Sequence, residues 1–129
     1  MNKKLVERYY AAWNSLNTEA PASFDAKDAD LVFFDVMPLK YRGWREYQKG
    51  VQKIFFDKIS AGKLTPNNDL KITRRGDVAW MTLTFRLSFT LKSRETSKMV
   101  CRHSAIWVRR RGQWLIVHEH ISAPLPTNS

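Results

Sequence analysis

Met99-Val100-Cys101-Arg102-His103-Ser104-Ala105-Ile106-Trp107-Val108-Arg109, then Arg110-Arg111-Gly112, then Gln113-Trp114-Leu115-Ile116-Val117-His118-Glu119-His120-Ile121-Ser122 is one alternating pattern broken by one turn. Alternation at a period of two marks a half-buried strand. A glycine after two arginines suits a three-residue hairpin loop with Gly112 in the left-handed position. That loop sets Arg109 opposite Gln113, Trp107 opposite Leu115, Ala105 opposite Val117 and His103 opposite Glu119. A two-residue loop at Arg111-Gly112 would shift the register by one and swap the partners. It would also put Arg111 at positive φ, which a long side chain disfavours, so the three-residue loop is expected.

Working outward, Val78 to Leu91 alternates over its whole length. Ala79, Met81, Leu83, Phe85, Leu87 and Phe89 face one way, and Trp80, Thr82 and Thr84 face the other. Asp69 to Arg74 is a further strand, with a tight turn at Arg75-Gly76, and Leu31 to Val36 another, ended by Pro38. Upstream the period changes. Leu5, Tyr9, Ala12, Trp13 and Leu16 make one apolar stripe of a helix over residues 3–16. A short helix follows and ends near Phe24. Residues 44–60 form the clearest helix, with Trp44, Tyr47, Val51, Ile54 and Phe55 at helical spacing and Gly62 as its stop. Helices first and antiparallel strands later imply an α+β fold in a single domain over residues 1–129.

The register gathers Ala79, Met81, Leu83, Phe85, Ala105, Trp107, Leu115, Val117 and Ile121 on one face, for the helices to cover. His103 and Glu119 interrupt it, and buried charge is costly unless paired or solvated. Two readings stay open: a structural His–Glu hydrogen bond in a filled core, or a pocket where the sheet curves away from the helices. In the pocket reading Asp35 or Glu119 takes a proton, His103 relays or orients it, and Tyr47 donates to developing oxyanion charge. Met81, Leu83, Phe85 and Trp107 form the apolar wall that excludes water. On the opposite face Trp80, Ile106, Trp114 and Ile116 predict a homodimer, because a monomer would expose them together. His118 and His120 share that face, but no cysteine or carboxylate completes a metal set, so no metal is expected.

Bulk properties narrow the classes. The chain is 43% hydrophobic and 26% charged, ordinary globular usage that argues against a disordered tail. The apolar run Leu31 to Phe34 is too short to span a membrane, and the N-terminus lacks an apolar signal core. The single cysteine, Cys101, excludes an internal disulfide and fits a reducing cytoplasm. Phosphate loops, nucleophile elbows and metal motifs are lacking, so no cofactor is expected. The net charge of +10 is scattered along the chain, dense only at Arg109-Arg110-Arg111. That scatter predicts a solvated basic surface and no nucleic-acid partner, with an anionic partner as the competing reading.

Three segments resemble one family. Gly112-Gln113-Trp114-Leu115-Ile116-Val117-His118-Glu119-His120-Ile121-Ser122-Ala123-Pro124 is similar to the closing strand of SnoaL-like domains, in the nuclear-transport-factor-like, ketosteroid-isomerase-like superfamily. Phe33-Phe34-Asp35-Val36-Met37-Pro38-Leu39-Lys40-Tyr41-Arg42-Gly43 resembles its first-strand segment, and Gly76-Asp77-Val78-Ala79 its hairpin entry. The resemblance implies a cone: long helices against a bent antiparallel sheet, dimerised through the outer face. Members include isomerases, cyclases, dehydratases and kinase-association domains, so fold likeness does not choose a function. Asp35 matches the isomerase strand carboxylate only loosely, and Tyr47 sits elsewhere than the isomerase tyrosine. Where the association domains line their pocket with arginines, this chain has Phe85, Ala105 and Ile121, which implies a more apolar ligand. The expected function is a pocket for a small, partly apolar molecule, of isomerase, cyclase or hydratase type. The alternatives are a non-catalytic dimeric binding or accessory domain and an interaction module for an anionic partner.

Overall fold

The computed structural model describes residues 1–126 of the chain. Asn2 caps the first helix, its side chain accepting from the Leu5 amide, and α1 runs over Lys3–Trp13. Its buried face is Val6, Tyr9, Tyr10 and Trp13. The expected stripe thus rotates to bring Tyr10 inward and leaves Ala12 and Leu16 half-buried. A 3-10 turn at Ala20–Phe24 leads to β1 (Val32–Phe34), β2 (Tyr41–Arg42) and α2 (Gly43–Ile54). α2 ends earlier than the apolar spacing suggests. Phe56–Lys58 is a 3-10 turn, and β3 (Ile59–Pro66) occupies what looked like a helix end and loop. Gly62 and Pro66 hide that strand in the sequence, but an edge strand tolerates both.

The remaining strands are β4 (Lys71–Arg75), β5 (Val78–Leu91), β6 (Thr96–Arg110) and β7 (Gln113–Ser122). The sheet order is β2-β1-β7-β6-β5-β3, with β4 also on β5. β5 is long enough to share one edge between two partners: β4 pairs with Val78–Thr82 and β3 with Phe85–Leu91. The pairing is antiparallel except that β1 runs parallel to β7, so the sheet is mixed rather than wholly antiparallel. This α+β arrangement has its core between the sheet's inner face and the two helices. No helix among the described residues is long and apolar enough to cross a membrane.

The decisive hairpin departs from expectation twice. Arg110 pairs with Gln113, so the loop is the two-residue Arg111-Gly112, with φ of 52° and 75°. Arginine accepts the left-handed conformation because Gly112 supplies the second positive φ of a type I′ turn, whose twist suits the strands. A bulge then intervenes. Ile106 pairs with His118 but Trp107 with Ile116, leaving Val117 as the extra residue on β7. Each departure shifts the register by one residue. Glu119 therefore faces inward as expected, opposite Ala105, while His103 lies opposite Ile121. Between turn and bulge the faces exchange. Ile116 is fully buried, and Leu115 lies beside Val108 on the outer face. Trp114 follows Ile116, covered by Arg74 and Arg109 at 5.1 and 5.7 Å from its ring. Of the expected outward apolar patch, only Trp80 and Ile106 remain exposed.

Candidate active site

α1 lays Tyr9 and Tyr10 across the inner face of β6 and β7, and their hydroxyls meet the two ionisable residues of that face. Tyr9 Oη donates to Glu119 Oε2 at 2.5 Å, and Tyr10 Oη lies 2.7 Å from His103 Nδ1. His103 Nε2 is 3.1 Å from Glu119 Oε1. The two groups are in contact, yet they are not aligned as a hydrogen bond, and both atoms stay unpartnered. All four residues are buried. If Tyr10 donates to Nδ1, the neutral imidazole carries its proton on Nε2, facing the carboxylate. Tyr9 thus holds one carboxylate oxygen and leaves the other without a hydrogen-bond partner, against the imidazole. Burial raises both tyrosine hydroxyls above their ordinary range, and the Glu119 charge raises them further, so both stay protonated donors.

These groups line one part of a cavity of about 330 Å³, at the lower end for small-molecule sites. Its walls are otherwise mainly apolar, with Val51, Ile54 and Phe55 from α2 and beyond, Leu64 from β3, and Phe85, Leu87 and Phe89 from β5; Lys58 and Asp35 are the charged residues that join them. Val36 and Met37 also line it and reach solvent, which places a mouth beside the segment after β1. Asp35 lies there, half-buried, its Oδ1 accepting from the Val36 amide at 2.6 Å. Burial pushes its carboxyl up to about 6, against the pull of that hydrogen bond. Tyr47 projects from α2, stacked on Phe33 at 4.9 Å, and burial holds its hydroxyl well above the ordinary range. Cys101 joins the lining, and burial pushes its thiol up to about 11.

The structure brings Asp35, Tyr47, His103 and Glu119 together around one cavity, with Phe85 in its wall. Met81, Leu83 and Trp107 are buried but do not line it. Trp107 lies under α1 instead, where Tyr9 packs edge-on to it at 5.8 Å. The cavity lies instead beside α2 and the β3 end of β5, so Leu87 and Phe89 take the wall positions. Tyr9 and Tyr10 were missed as polar partners; adjacent tyrosines on an apolar stripe were the available signal. Asp25 was missed without any signal. Its buried carboxylate oxygens have no hydrogen-bond partner, and burial, then the Glu119 charge, raises its pKa well above the usual carboxylate range.

Known proteins share this architecture. A nuclear-transport-factor-2-like superfamily protein from Salmonella enterica superposes with a TM-score of 0.85 at 18% identity, over 95% of this chain and 88% of that one. A protein of unknown function from Pseudomonas putida, also of this fold, reaches 0.77 at 23% identity, over 98% and 86%. A type 2 hexachlorocyclohexane dehydrochlorinase (LinA) reaches 0.80 at 10% identity, over 94% and 81%. At these identities the likeness is one of fold. No curated protein matches the chain in sequence. The model of the SnoaL-like domain family matches residues 3–126, nearly the whole length, and the chain belongs to that family.

Proposed function

We propose that the cavity takes a small, largely apolar molecule with one acidic C–H bond and moves a proton on it. The observation that carries this reading is the buried Glu119 Oε1, without a hydrogen-bond partner and 3.1 Å from His103 Nε2, in the wall of a mainly apolar cavity. A carboxylate with one oxygen held and the other unpartnered beside an imidazole is arranged as a general base. Glu119 takes the proton, and the electron pair moves onto the adjacent carbonyl oxygen of the ligand. His103 positions the carboxylate and Tyr10 fixes the imidazole tautomer. Tyr47 and the Asp35 carboxyl, protonated below about pH 6, are the donors available to the developing oxyanion. Returning the proton to a different carbon completes an isomerisation; losing a leaving group from the β carbon completes an elimination.

Exchange of the α protons of 2-tetralone in D2O, followed by NMR, tests this directly. Wild-type protein accelerates the exchange, and Glu119→Gln lowers it at least about 100-fold, the scale of a lost general base. Equal exchange with both proteins excludes the carboxylate. Binding of 2-tetralone without accelerated exchange returns the protein to the non-catalytic binding reading.

A further inference from the structure

The cavity has a charged end that the proton chemistry does not use. Of the described residues lining it, Lys58 is the one lysine or arginine. It closes the 3-10 turn Phe56–Lys58, and its carbonyl accepts from the Lys92 amide at 2.9 Å. Ile59, the next residue, pairs with Leu91, so Lys58 stands at the β3 edge where β5 ends. The acid–base pair stands towards the other end of β5. His103 lies opposite Leu83, and Glu119 opposite Ala105, itself beside Met81. Between the two ends Phe85, Leu87, Phe89 and Leu91 line the cavity, a wall on the order of 20 Å at ~3.4 Å per residue. Lys58 is exposed and in none of the ion pairs among the described residues. Two carboxylates border it. Asp57 accepts from the Gln52 amide at 2.7 Å, and Glu95 belongs with Lys92 and Arg94 to the β5–β6 turn, none of which lines the cavity. Asp35 does line the cavity, but it follows β1, which β7 and β6 separate from β5 in the sheet.

We propose that the cavity takes an amphipathic carboxylate, its anionic head at Lys58 and its chain along β5 towards His103 and Glu119. Polarity fixes the direction. At the exposed Lys58 the head keeps water on one side and gains a counter-charge. The reverse direction would bury it beside the Glu119 carboxylate, like charge against like charge in a mainly apolar wall. The chain is therefore the part that meets the acid–base pair. Lys58 and the apolar wall select this ligand whether or not chemistry follows. One point rests on the proton transfer proposed above: with Glu119 as base, the substrate is an oxo acid whose ketone lies in the chain, away from its carboxylate.

Calorimetric titration with decanoate, decanol and decyltrimethylammonium at pH 7.5 is the test. Decanoate binds about three- to fivefold tighter than decanol, the scale of one solvated ion pair. Octanoate binds more weakly than decanoate, by about fourfold per methylene removed, because the chain is the buried part. Lys58→Gln brings decanoate down to the level of decanol and leaves decanol unchanged, and Lys58→Glu makes decyltrimethylammonium the preferred ligand. Lys53→Gln removes the same charge from an exposed position of α2 outside the cavity lining and leaves the preference for decanoate intact. Equal binding of decanoate and decanol overturns the anionic head while the apolar ligand cavity stands. A wild-type preference for the ammonium, or an equal loss in Lys53→Gln, overturns it in the same way. No binding of any of the three removes the ligand cavity itself, and the proposal with it. A decanoate preference that Lys58→Gln abolishes supports the proposal even where 2-tetralone exchange is not accelerated, a result that refutes the proton transfer alone.

Discussion

Tyr9→Phe removes a single oxygen from the site. The ring is 1% exposed and packs edge-on against Tyr10, Trp13, Phe24 and Trp107, contacts that phenylalanine keeps. What disappears is the 2.5 Å hydrogen bond to Glu119 Oε2. Bonds to charged partners contribute about 1.5–3 kcal/mol. Tyr9 also lines the cavity, so water can take up part of the lost bond. The loss therefore belongs at the lower end, about 1.5–2 kcal/mol. At ~2.1 cal/mol/K per residue, the 129 residues carry an unfolding entropy of about 0.27 kcal/mol/K, so melting falls by roughly 5–8 °C. Thermal melting at pH 7 of wild type, Tyr9→Phe, Glu119→Gln and the double variant completes a cycle. Against the neutral amide of Glu119→Gln the hydroxyl contributes only about 0.5–1.5 kcal/mol, so the coupling is about 1 kcal/mol. A drop below about 2 °C, or the same loss in both backgrounds, refutes the view that Tyr9 holds the carboxylate.

Asp35→Asn raises stability at pH 7.5 and leaves it unchanged near pH 4. The folded carboxyl titrates at about 6 and the unfolded one near 3.9, so the native state binds more protons between these values and stability falls as pH rises through them. The full difference is about 2–3 kcal/mol, read from urea unfolding at both pH values; equal curves for both proteins would sink the assignment. Gly50→Ala, which helix propensity alone favours, lowers stability by about 1–3 kcal/mol, because the added Cβ meets the buried Tyr41 ring at 2.2 Å. A higher melting point for that variant shows that the ring yields. Arg111→Asn stabilises the β6–β7 turn by about 0.5–1 kcal/mol, since asparagine takes the left-handed conformation more readily. No change in urea midpoint means that the arginine is unstrained.

Much of the fold was legible because strand periodicity survives errors of detail. Val78–Leu91 has the observed bounds, and its inward residues Ala79, Met81, Leu83 and Phe85 are all buried. The long helix was recognisable from Trp44, Tyr47 and Val51, but not its end. Ile54 and Phe55 continue a helical spacing past the point where the backbone turns. β3 was illegible because its stabilisation comes from pairing with Leu91 to Phe85 across the sheet, and not from its own glycine- and proline-containing sequence. The parallel pairing of β1 on β7 had no local signal either, since it depends on where the whole β1-to-β7 path returns.

The site was legible for a less comfortable reason. His103 and Glu119 were expected to meet through a three-residue turn, and that turn does not exist. They meet because two departures of one residue each, the tighter turn and the bulge at Val117, restore the parity of the sheet face. Residues between the two departures have no such protection, which is why Leu115 and Ile116 exchanged faces while Glu119 kept its own. Parity decides which side of a sheet a group faces, but not what covers it there. Met81, Leu83 and Trp107 share the face of Phe85 and are as buried, yet of the four only Phe85 lines the cavity beside α2. The same reasoning sets the two ends of the cavity. Lys58 and His103 are far apart in sequence, and the pairs Ile59–Leu91 and Leu83–His103 put them towards opposite ends of β5. Long-range pairing, which no local pattern encodes, decides the neighbours of every functional group here.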